Sequence, residues 1–159
     1  MDRYLERTRL LDFGHQAIES LVSERHWRDL SPYERIGAVY GFVRDEIAFG
    51  YNAADDIPAS LVLKDGYGQC NTKGTLLMAL LRAVGIACRL HGFTIHKALQ
   101  RGVVPELVYG LAPDSILHSW VEVEHEGRWI NLEGFILDRT FLKALQAEFS
   151  GETNSLFGY

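Results

Sequence analysis

The chain has 159 residues, 47% of them hydrophobic, and sets 16 Lys plus Arg against 21 Asp plus Glu for a formal net charge of -5. A chain of this length buries roughly two-thirds of the surface its unfolded form exposes, which supports one core, so the expectation is a single domain over residues 1–159. The acidic balance argues against nucleic acid or an anionic membrane as partner, and two cysteines, Cys70 and Cys88, supply neither a disulfide framework nor a four-thiolate zinc site.

Met1 to Arg7 mixes charge with apolar residues and lacks the unbroken apolar stretch of a secretory signal. Later apolar runs such as Leu76–Leu81 are far shorter than a bilayer span, so the expected location is cytoplasmic. Asp12 to about Leu30 places Phe13, Ala17, Ile18, Leu21 and Val22 at spacings of three and four, which predicts a helix. Ser31-Pro32-Tyr33-Glu34 opens a second helix, with a cap, a proline in the first turn and a Glu three residues after the Ser. A loop through Asp55, Asp56 and Pro58 leads to the short apolar piece Leu61–Leu63 and the glycine turn Asp65–Gly68. From Cys70 a helix apolar on most faces runs to a cap at Gly85, and it is expected at the centre of the fold.

Ile86 to Phe93 reads as a strand. Thr94 to Leu117 reads as irregular, with a helical turn at Pro105–Val108; it is either a flap over a substrate groove or a packed crossover. Ser119–Glu124 and Arg128–Leu132 form a hairpin around Glu126-Gly127, and Asp138 caps a last helix from Arg139 to about Phe149. The tail from Ser150 to Tyr159 has no pattern and suggests a truncated chain. Helices first and an antiparallel sheet after them give an α+β class.

The thiol of Cys70 draws interest because of its place. At the first turn of a helix, unpaired N–H groups and the helix dipole favour thiolate, and the glycines before it leave room for a substrate carbonyl. Cys88, in a strand with neither feature, is assigned to packing. With Glu126-Gly127 as a two-residue turn, Trp120 falls opposite Glu133. His118, Trp120 and Glu122 then share a face with Asn131, Glu133 and Phe135, while Val121, Val123, Ile130 and Leu132 share the apolar face. His118 and Glu133 become diagonal neighbours within reach of a Glu side chain, whereas a bulge at Gly127 would move Glu133 to the other face. A carboxylate there would orient the imidazole as base, and the Cys70 sulfur is expected at about hydrogen-bond reach of the His118 ring.

The scattered histidines His91, His96, His118 and His125 lack metal-ligand spacing, and Asp55-Asp56 lacks the ligand ladder of a calcium loop. No cofactor or metal site is therefore expected.

Gly66-Tyr67-Gly68-Gln69-Cys70, the leucine-rich helix ending Arg82-Ala83-Val84-Gly85-Ile86, His118-Ser119-Trp120-Val121 and Trp129-Ile130-Asn131-Leu132-Glu133 together resemble the transglutaminase-like superfamily, over a core of about residues 47–135. The resemblance implies Cys70 as nucleophile, His118 as base and Glu133 where the family usually carries Asp. The extra methylene of Glu leaves Asn131 and Asp138 as alternative orienting groups. Gln69 is the oxyanion candidate by the same resemblance. The implied function is a thiol hydrolase, protease or amidase in type, that cleaves a peptide or amide substrate through a thioester. Transamidation of protein glutamine by the same thioester, or an idle binding module, are the alternatives.

Overall fold

The computed structural model describes residues 2–100 and 106–148. The first helix, α1 (Gln16–Glu24), starts where His15 Nδ1 accepts the Ala17 N–H at 3.2 Å. It is shorter than the sequence suggests because His26 takes a left-handed conformation (φ 54°), after which Trp27–Asp29 make only a 3-10 turn. Helix α2 (Pro32–Asp45) begins with the expected box, the Glu34 carboxylate accepting the Ser31 N–H at 2.9 Å. The apolar piece Leu61–Leu63 lies inside α3 (Ala59–Asp65).

Two short parallel strands, β1 (Ala48–Phe49) and β2 (Tyr67–Gly68), hold the chain just before Cys70. Gly66 stands at φ 72°, a conformation that favours glycine, and its carbonyl accepts the Ala48 N–H at 3.0 Å. Gly68 is there for space: a Cβ on it would lie 2.6 Å from Thr72 Oγ1 and 3.2 Å from the Lys73 backbone N. Helix α4 (Cys70–Ala83) then starts at the cysteine itself. Leu76, Leu77, Leu80 and Leu81 on it are fully buried, each contributing roughly 2 kcal/mol of hydrophobic stabilisation. The helix packs on α1, α2 and α3 as well as on the main sheet, and so sits at the centre of the core.

That sheet is antiparallel, in the order β3 (Cys88–His96), β4 (Ser115–His125), β5 (Arg128–Leu132). Val121 pairs with Leu132 and Glu122 with Asn131, the register expected from a two-residue turn; Glu126 (φ 52°) and Gly127 (φ 76°) are both left-handed, as such a turn requires. The stretch read as irregular is more ordered. Thr94–His96 extends β3 and pairs with Ser115–Leu117 of β4, because the alternation Ile95 and Ile116 continues the pleat on both strands. Their connection holds a 3-10 turn at Lys97–Gln100 and helix α5 (Glu106–Leu111), which contains the expected helical turn at its residues 106–108, Pro105 lying outside the described residues.

Ile130 pairs with Val123 and shares its face as expected, but on the edge strand it is 43% exposed, bordering a hollow with Tyr33, Ile36 and Tyr40. One face assignment needs correction: Phe135, expected on the polar face, is buried in the core. The chain turns after β5 at Gly134 (φ 73°), which ends the strand alternation before Phe135. Asp138 caps α6 (Arg139–Glu148) by accepting the N–H groups of Thr140 and Phe141 at 2.9 and 2.8 Å. The tail from Ser150 lies outside the described residues. No helix among those described is long and apolar enough to cross a membrane.

Candidate active site

Cys70, Gln69, His118 and Glu133 all line one open cavity of about 450 Å³. Four different pieces of backbone bring them there. The β1–β2 pair and the glycine turn set the start of α4, β4 carries His118, and the turn after β5 carries Glu133. Phe49, Tyr51, Phe93, Ile95, Ile116 and Leu117 make the remaining walls aromatic and aliphatic. Phe93, directly across from His118 in the β3–β4 ladder, packs edge-on against the imidazole at 5.2 Å between centroids and limits how the ring can turn. Trp120 lies flat on His91 at 4.3 Å.

The cysteine and the histidine face the same space, but in this structure the thiol's partners are elsewhere. Cys70 Sγ donates to Gln69 Oε1 at 2.9 Å, and Asn71 Oδ1 stands at 3.8 Å. Gln69 acts as the N-cap of α4, its Oε1 also accepting the Asn71 N–H at 2.9 Å. Its Nε2 is committed to Asp55 Oδ1 at 2.6 Å. In this conformation Gln69 therefore turns an oxygen, not an N–H, toward the sulfur. An amide oxygen repels an oxyanion, so the oxyanion role expected of Gln69 requires its side chain to rotate.

The electrostatics also depart from expectation. Burial pushes the Cys70 thiol above its ordinary value; the N–H groups of Asn71 and Cys70 pull the other way, and the Asp55 charge reinforces the rise. Desolvation thus outweighs the helix start at rest. Burial likewise lowers the His118 imidazole, with the Glu133 carboxylate opposing it. Both changes favour a neutral thiol and a neutral imidazole over a preformed ion pair.

Glu133 is exposed on the rim, its backbone carbonyl accepting from the Tyr40 hydroxyl at 2.6 Å. It reaches His118 through its charge. The alternative orienting groups lie elsewhere: Asn131 borders the hollow beside α2, and Asp138 is engaged as the cap of α6. Cys88 is buried, donates to the Met78 carbonyl at 3.5 Å, and is pushed up to about 11 by burial.

Three contributors carried no signal in the sequence. Asp55 reaches the site from a loop, Asn71 stands beside the thiol, and Ser119 Oγ donates to Asn71 Oδ1 at 3.2 Å, tying β4 to the start of α4. None falls in a spacing that marks it, since each acts through a contact that only the fold creates.

A central helix starting at a cysteine, packed on an antiparallel sheet that presents a histidine to the same cavity, is an α+β thiol-site architecture. The family model of the transglutaminase-like superfamily matches residues 20–134, and the chain belongs to that superfamily. A crystal structure of a putative cysteine protease from Cytophaga hutchinsonii shares the fold, with a TM-score of 0.65 at 16% identity over 86% of this chain and 42% of that one. This chain spans less than half the length of that protein. No curated protein sequence matches it significantly.

Proposed function

We propose that the protein is a thiol hydrolase that cleaves an amide or peptide bond through a thioester on Cys70, with His118 as general base and acid and Glu133 as the charge that supports the imidazole. The observation that carries this reading is the shared cavity: a cysteine on the first residue of a buried helix and a half-buried histidine open onto the same space, beside aromatic walls suited to an acyl side chain. Membership of the superfamily supports cysteine-dependent acyl transfer, by hydrolysis or by transamidation.

In the proposed cycle the neutral imidazole takes the thiol proton as Sγ attacks the carbonyl, so thiolate forms when it is used. Backbone N–H groups at the start of α4 stabilise the oxyanion. The imidazolium returns its proton to the leaving amine, and water, activated by the same ring, cleaves the thioester. Glu133 makes the transient imidazolium less costly, since its charge opposes the desolvation of that ring.

The test is hydrolysis of a set of anilides with aromatic and aliphatic acyl groups, with and without a primary amine. Wild-type protein should release the acid, with loss of activity in both Cys70→Ala and His118→Ala. An amide product in the presence of amine would assign transamidation instead, and turnover undiminished in Cys70→Ala would refute the thioester route.

A further inference from the structure

A primary amide has a donor end and an acceptor end, so whatever grips one end decides which end faces a neighbour. Two such amides flank the Cys70 sulfur, and one carboxylate grips both. Asp55 Oδ1 accepts from Gln69 Nε2 at 2.6 Å, and Asp55 Oδ2 accepts from Asn71 Nδ2 at 3.1 Å. The opposite ends of both amides are thereby turned to the thiol: Gln69 Oε1 at 2.9 Å and Asn71 Oδ1 at 3.8 Å. The arrangement is locked from the far side as well, because Gln69 Oε1 accepts the Asn71 backbone N–H and Asn71 Oδ1 accepts from Ser119 Oγ.

We propose that Asp55 is a positioning residue that keeps Cys70 in its protonated resting form by holding the amides of Gln69 and Asn71 with their oxygens toward the sulfur. A thiol can donate to such oxygens; a thiolate in the same place meets two negative dipoles and a nearby carboxylate. Once Asp55 lets go, each amide is free to present N–H groups to a thiolate or to an oxyanion. The other ionisable groups lining the cavity are Tyr51, His118 and Glu133, and none bonds either amide. Lys73, one turn further along α4, is directed to backbone carbonyls of Ile47 and Ile136 and not to the sulfur.

This inference rests on Cys70 being the reactive thiol, and alkylation tests it without any substrate, so its failure is separable from failure of the hydrolase reading. The Cys70 alkylation rate by iodoacetamide is measured from about pH 6 to 9, with the site read by peptide mass, in wild-type protein and in Asp55→Asn, Asp55→Ala, Asp55→Glu and Asp56→Asn. Circular dichroism reports folding, and Asp55→Asn, equal in shape, serves if the alanine variant does not fold.

Asp55→Asn and Asp55→Ala should raise the Cys70 rate at pH 7 by roughly threefold or more, the scale of removing one nearby charge from a half-buried group. Asp55→Glu should return most of the wild-type profile. Asp56→Asn removes the same charge one residue away, from a carboxylate that pairs with Arg9 at 3.3 Å, and should leave the profile unchanged. Profiles of Asp55→Asn and Asp55→Ala that coincide with wild type would overturn the proposal. So would an Asp56→Asn profile displaced as far as theirs, since bulk charge would then account for the effect.

Discussion

Replacing Lys73 by Met tests how the cysteine helix is held. Lys73 is fully buried, and its ammonium donates to the carbonyls of Ile47 at 2.7 Å, Ile136 at 2.8 Å and Arg44 at 3.3 Å. It therefore ties α4 to the end of α2 and to the segment after Glu133 that floors the cavity. Burial lowers its pKa from 10.5 to about 8, with Asp138 and Asp45 opposing the change; at about 1.4 kcal/mol per tenfold step the charged form costs about 3 kcal/mol in the fold. Met removes that cost but leaves three carbonyls without a donor, at about 2 kcal/mol each. The net expectation is a loss of about 3 kcal/mol at pH 7, measured by urea unfolding.

The pH dependence adds a second constraint. Between the folded pKa of about 8 and the unfolded value of 10.5 the unfolded chain binds more protons, so this group makes wild type more stable as pH rises. The Met variant lacks that gain, and the gap should widen by about 1 kcal/mol from pH 7 to pH 9. A gap below about 1 kcal/mol at pH 7, or one that closes at pH 9, would refute the reasoning.

Glu133→Gln removes the charge that raises His118, so the acidic limb of the activity profile should move to lower pH; the loss at neutral pH should stay within about tenfold, against roughly 10²–10⁴ for His118→Ala. Gly68→Ala forces a Cβ to within 2.6 Å of Thr72 Oγ1 and should cost about 2 kcal/mol in thermal unfolding, whereas Gly66→Ala meets no neighbour and should cost about 1 kcal/mol through its positive φ alone. Cys88, buried and pushed up to about 11, should alkylate at least roughly tenfold more slowly than Cys70 at pH 8, and Cys88→Ala should keep full hydrolysis.

Local chemistry was readable wherever one segment contains its own instructions. The Ser31–Glu34 box, the glycine turn before Cys70 and the Glu126-Gly127 hairpin each place a backbone by nearby residues, and the hairpin set the register of β4 and β5 as far as Leu132, one residue short of Glu133. What escaped depends on distant partners. Lys73 looks like a polar break in an apolar helix until α2 and the 135–137 segment supply carbonyls around it. Asp55 gains its place through two amides, 14 and 16 positions along the chain. The state of the thiol escaped for the same reason: the helix start is visible in the sequence, while the desolvation that outweighs it arises from walls contributed by β3, β4 and the segment after β5.

The most direct test of the central claim is the intact mass of protein quenched in acid during reaction with an activated ester of an aromatic acid. The account predicts a single acyl addition that maps to Cys70 in wild type, persists longer in His118→Ala once formed, and is missing in Cys70→Ala. Acylation that maps to another residue, or that survives the loss of Cys70, would contradict it.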